Sequence, residues 1–207
     1  MPPRRVLEDT YTEAMLRESF ADFRAHYTTR LAMKERTNGA VRCPNTPEDI
    51  SENFLKFVIR TKVGVPSSWA KLVGRRGDLW SEVEGVQECK WITSDGPCSF
   101  GPDKDWSVIY FGDAREWLSD RFRVYRVALT AKSPEWRALR MSASESFGEQ
   151  CDQGRRPHIG WDALFAQIRD HCQLVYEGGF EGIFNNDMSR PAMSSTTGTE
   201  TAFPASA

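Results

Sequence analysis

Asp78, Glu88 and Lys90 are the residues whose types and spacing could do hydrolytic chemistry. They lie in Gly77-Asp78-Leu79-Trp80-Ser81-Glu82-Val83-Glu84-Gly85-Val86-Gln87-Glu88-Cys89-Lys90-Trp91, an aspartate followed at a distance by a Glu-x-Lys triplet. Two carboxylates can hold a Mg²⁺ against a phosphate oxygen, where the ion polarises phosphorus and acidifies a bound water. An ammonium beside them can orient or deprotonate that water, or neutralise developing charge. The triplet by itself says little: with 29 acids and seven lysines in 207 residues, about one is expected by chance. On an exposed hairpin the same three side chains would merely pair in solvent, for about 0–1 kcal/mol.

The elements around them must therefore decide. Residues 77–92 read as a β-hairpin. Gly85 can adopt the left-handed conformation that closes a three-residue loop. With Val83-Glu84-Gly85 as that loop, Asp78 faces Lys90 and Glu88 lies diagonal to Asp78. Alternation then sets Asp78, Trp80, Glu88 and Lys90 on one face and Cys89 on the other. A two-residue loop would send Asp78 to the opposite face.

Upstream, Leu16, Phe20, Phe23, Tyr27 and Leu31 recur at helical steps and predict a helix over 10–36, ended by Asn38-Gly39. Thr46-Pro47 reads as the cap and first position of a second helix, apolar at Ile50, Phe54, Phe57 and Val58 and running to about Lys62. Downstream, 106–111 and 122–129 read as strands, Ser133-Pro134 as a helix start, and 159–172 as an amphipathic helix followed by Gly178-Gly179. Helices, then strands, then helices suggest an α/β sandwich with an antiparallel or mixed central sheet. Residues 1–184 read as one domain. The segment 185–207, rich in Ser, Thr, Ala, Pro and Gly, reads as a disordered tail.

Composition narrows the chemistry. Five cysteines without a C-x-x-C pair, and only His26, His158 and His171, argue against a zinc site or a disulfide framework and suit a reducing, cytoplasmic setting. No secretory signal or membrane-length apolar run is read. No G-x-S-x-G elbow supports a serine hydrolase. Net charge is −2, yet 20 of the 27 basic residues are arginine, the side chain that bonds phosphate and guanine bidentately. A GC-rich genome would give the same bias.

The order of these elements resembles the PD-(D/E)xK nucleases. The runs Ile50-Ser51-Glu52-Asn53, Arg76-Gly77-Asp78-Leu79, Glu88-Cys89-Lys90, Ser94-Asp95-Gly96-Pro97-Cys98-Ser99-Phe100-Gly101-Pro102 and Trp106-Ser107-Val108-Ile109-Tyr110-Phe111 are similar to small type II restriction endonucleases, over about 45–180. The resemblance implies an α/β restriction-endonuclease-like core with a central mixed sheet flanked by helices. It also implies Mg²⁺-dependent cutting of double-stranded DNA at a short sequence, with Asp78 and Glu88 on the metal and Lys90 at the attacking water. Glu52 is the candidate for the acid that many members carry on an upstream helix. Gly77 stands where the motif has proline.

Arg76, Ser94, Ser99, Arg155 and Arg156, with His158 beside them, are candidate DNA contacts. Asp113 is a possible further acid, and Arg121-Arg123-Arg126 another basic cluster. A two-fold recognition site favours a homodimer, with Trp117, Trp136 or the first helix at its interface, and the family implies a partner methyltransferase. A junction resolvase, a repair nuclease or a non-catalytic DNA-binding protein are the alternatives.

Overall fold

The computed structural model describes residues 8–98 and 105–185. Ser99 and the tail beyond Asn185 lie outside them. Helix α1 (Glu13–Arg36) starts where the Thr12 hydroxyl accepts from the Met15 amide at 3.2 Å, later than expected because that cap sets its first turn. It ends as expected, at Asn38 and Gly39, both with positive φ. Helix α2 (Glu48–Val58) begins one residue later than expected. Pro47 is its cap, and the Thr46 side chain makes no capping bond. One wide π turn (Ile59–Val63) then carries it to Gly64.

A mixed six-stranded sheet runs in the order β1 (Ser68–Trp69), β2 (Leu79–Ser81), β3 (Gly85–Ile92), β5 (Val108–Asp113), β6 (Phe122–Val127) and β8 (Cys172–Gly178). Only β3 and β5 pair in parallel. Two short strands, β4 (Pro97–Cys98) and β7 (Ile159–Gly160), form a separate antiparallel ribbon. Helices α3 (Pro134–Ala138), α4 (Phe147–Asp152) and α5 (Trp161–Ile168) complete the chain.

The sheet separates two cores. On one face Leu79, Cys89, Val108, Tyr110, Phe122 and Val124 pack against α1 and α2. On the other Ile92, Ile109, Phe111 and Val127 meet Trp136, Phe147, Trp161, Leu164 and Ile168. Every residue of β5 is buried, which explains its unbroken apolar run: a central strand covered on both faces needs no alternation. The α/β fold with a mixed central sheet flanked by helices is as expected. No helix of the described residues is long and apolar enough to cross a membrane.

Among the described residues, strands β1, β4, β7 and β8 and helix α4 escaped the sequence reading. Strand β8 lies at the sheet edge and most of its side chains are exposed or half-buried, so it carries little pattern. The helix expected over 159–172 gives way to it, running only from Trp161 to Ile168 plus a 3₁₀ turn. Helix α4 had a legible start: Ser146 and Glu149 cap each other reciprocally. Trp117 and Trp136, considered for an interface, are 4% and 1% exposed and belong to the two cores instead.

Candidate active site

The hairpin positions the three residues, in a register that differs from the expected one. Leu79 pairs with Gln87, Trp80 with Val86 and Ser81 with Gly85, so the loop is Glu82-Val83-Glu84. Gly85 is left-handed as expected (φ 70°), but it closes the loop as the first residue of β3. Continuing the ladder outward sets Asp78 across from Glu88, with Lys90 on the diagonal. The slip is two residues, and an even slip preserves side-chain parity. Gly77 has φ 89°, and a Cβ there would lie 2.4 Å from a Val86 methyl carbon. Proline, whose ring holds φ near −65°, cannot reach that backbone angle.

The side chains interlock. Lys90 Nζ donates to Glu88 Oε1 at 2.5 Å, and the two side chains are 18% and 1% exposed. Asp78 Oδ2 accepts from the Cys89 amide at 2.8 Å, which ties the start of β2 to the Glu-x-Lys strand. Cys89 itself turns into the core under α2. Burial raises its thiol, and the Asp78, Glu52 and Glu88 carboxylates around it raise it further, so no reactive thiolate stands here.

Glu52, in the buried helix α2 on the Cys89 face of the sheet, lies near enough to Asp78 for the two carboxylates to repel. Its Oε2 accepts from Trp69 Nε1 at 2.5 Å, and Lys71 Nζ lies 3.9 Å from Oε1. Burial pushes its carboxyl up to about 7, against the indole bond, and the neighbouring Asp78 adds to the rise. The donor set suits a hard divalent cation: carboxylate oxygens with surplus negative charge. Among the described residues no three His, Cys, Asp or Glu side chains converge closely enough to hold a metal.

The model of one protein family, Bsp6I restriction endonuclease, matches residues 16–166. The match spans α1 through most of α5, including all four residues above. The chain belongs to the Bsp6I restriction endonuclease family. Neither the curated proteins nor the solved structures contain a match. Membership makes the chain a nuclease of the type II restriction class, consistent with the mixed sheet and the acids at its hairpin.

The other expected contacts of this Bsp6I-family chain are dispersed. Arg76 is exposed just before the site, beside Arg75, whose guanidinium stacks over Trp80 at 4.4 Å. The Ser94 hydroxyl accepts from the Gly96 amide at 3.3 Å within its own turn. Arg155 pairs with Glu145, while Arg156 and His158 are exposed next to it. Asp113 belongs to an ion-pair cluster: burial would raise its carboxyl, but bonds from the Arg115 side chain and amide hold it below the usual range. Arg121 and Arg123 pair with Glu116, Arg123 also with Glu177, and Arg126 with half-buried Glu84. That basic cluster is largely neutralised within the fold.

Sequence reasoning missed the residues that hold Glu52 in place. Asp9 Oδ2 accepts from the Trp69 amide at 2.8 Å and from Lys56 Nζ at 2.9 Å, and Tyr11 packs edge-on to Trp69 at 5.4 Å. A lysine inside an apolar helix, Lys56, was the available signal.

Proposed function

We propose that the protein is a Mg²⁺-dependent endonuclease that cuts double-stranded DNA at a short specific sequence. Asp78 and Glu88 are the metal-holding carboxylates, Lys90 acts at the attacking water, and Glu52 is the accessory acid. The observation that carries this reading is the hairpin ladder, which lines up Asp78 with Glu88 while Glu88 holds the Lys90 ammonium. The family match supports the reading from a separate direction.

A bound Mg²⁺ would polarise the scissile phosphate and supply an acidic water. The chain's own residues do the rest. The amide of Cys89 fixes the Asp78 carboxylate against β3. Glu88 holds the Lys90 ammonium at the site, where its positive charge offsets charge developing on phosphate oxygens. Glu52, raised to about 7, can carry or release a proton beside Asp78. Arg76 and Arg156 contact the duplex, with Arg155, Ser94 and Ser99 alongside. Cutting both strands of a symmetric site calls for a two-fold dimer, and a host carrying this cytoplasmic enzyme needs a methyltransferase of matching specificity.

Incubation with unmethylated phage DNA and Mg²⁺ should give discrete fragments whose sequenced ends share one motif. Chelation or Ca²⁺ should stop the cutting, and Ca²⁺ should still permit binding. Lys90→Ala should slow single-turnover cleavage about 10²–10³-fold, the loss typical of one transition-state charge partner. Undiminished cutting in chelator, or by Lys90→Ala, would sink the assignment.

A further inference from the structure

The β4/β7 ribbon gathers two segments far apart in sequence. Pro97 pairs with Gly160 and Cys98 with Ile159. Asp95 lies just before β4 and Asp162 in the first turn of α5, just after β7, two like charges that would repel. Arg115 lies between them. Its Nη1 donates to Asp95 Oδ1 at 2.9 Å and to Asp162 Oδ2 at 3.1 Å. Its Nε and Nη2 clasp the two oxygens of Asp113, at the end of β5, at 2.9 Å each. One guanidinium thus bolts the segments that flank both ribbon strands to the end of the central sheet.

The ribbon is rooted on the face of the reactive pair. Ile159 and Trp161 pack with Ile109 and Phe111, which are the register partners of Glu88 and Lys90 on β5. His158 and Arg156 lie in the segment just before β7, both exposed, with buried Pro157 between them. Next to them Arg155 is tied back to Glu145 and, through its amide, to the Gln150 carbonyl at 2.9 Å. Among the described residues no carboxylate pairs with Arg156, in contrast to Arg115, Arg121, Arg123, Arg126, Arg137 and Arg155.

The geometry points to the β4/β7 ribbon as the element that reads bases in the DNA major groove, with Arg156 and His158 on base edges and Arg115 as the positioning residue that fixes the ribbon's angle to the sheet. This rests on the nuclease reading above. A two-stranded ribbon fits the major groove, and arginine there bonds guanine O6 and N7 bidentately.

The test compares the wild type with Arg156→Ala and His158→Ala. It measures the motif at sequenced fragment ends of phage DNA in Mg²⁺, and the affinity in Ca²⁺ for a duplex bearing the wild-type motif and for a scrambled duplex. Arg156→Ala should weaken motif binding about ten- to hundredfold, leave scrambled binding within about twofold, and relax the motif at one G·C position. His158→Ala should relax a neighbouring position. Arg115→Gln strips a half-buried partner from Asp113 and can unfold the chain, so Asp95→Asn with Asp162→Asn loosens the ribbon from its exposed side instead. That double variant should lower discrimination while keeping the same phosphodiester cut.

Equal weakening on both duplexes would make Arg156 a phosphate contact and overturn the inference, as would an unchanged motif in all variants. Absence of Mg²⁺-dependent cutting by the wild type would overturn the nuclease reading and this inference with it.

Discussion

Glu52 is the residue at which burial and mechanism meet. Its folded value of about 7 lies above the ordinary carboxylate value of about 4.3. The folded chain therefore holds a proton that the unfolded chain has released between these values. The stability this confers is complete below the unfolded value and is lost as pH rises through 7. Glu52→Gln keeps an acceptor for the Trp69 indole and removes the titration. In chelator, its melting temperature relative to wild type should rise between pH 5 and pH 8. A gap that stays constant across that range would show that Glu52 is ordinarily ionised.

At the scale of elements, the hairpin and the buried helix carry the site between them. The hairpin depends on Gly77, whose φ of 89° and close approach to Val86 exclude any side chain. Gly77→Ala should destabilise the protein by about 1–3 kcal/mol in urea unfolding and reduce cleavage further than that loss explains, because Asp78 is the next residue. Helix α2 is buried throughout from Ile50 to Val58, so its polar residues need partners. Lys56, fully buried, finds Asp9 at 2.9 Å; burial lowers its amine to about 8, against the pull of Asp9. Asp9→Ala strands that ammonium and frees the Trp69 amide. A loss of about 3–5 kcal/mol is expected from calorimetry or denaturant titration, the cost of breaking a buried pair. A loss below about 1 kcal/mol would mean that water replaces the aspartate.

For the molecule as a whole, the charge balance sets how it meets DNA. A net charge of −2 gives no general attraction to a polyanion, and several arginines are paired with carboxylates of the same chain. Affinity for the phosphate backbone must come from exposed cations such as Arg76. The logarithm of the binding constant in Ca²⁺ should therefore fall with the logarithm of salt concentration at about −0.9 per phosphate contacted. Arg76→Ala should reduce that slope by about 1. A slope unaffected by Arg76→Ala would place the phosphate contacts elsewhere.

Much of this was legible in the residues themselves. Apolar spacing marked α1 and α2, and the unbroken run Val108–Phe111 marked the strand at the centre. Glycine at 85 marked the bend, and because side chains alternate with a period of two, a register off by two residues still grouped Asp78, Glu88 and Lys90. Edge strand β8 was invisible because an edge needs no apolar pattern. Tertiary structure alone decided which charges are spent: Asp113, Arg126 and Arg155 look in sequence like free functional groups, and only packing shows the partners that claim them. It alone brought Asp9 to Trp69 and paired β4 with β7, contacts between positions about 60 residues apart. Local propensity cannot encode such contacts, because they form only when the whole chain closes around its two cores.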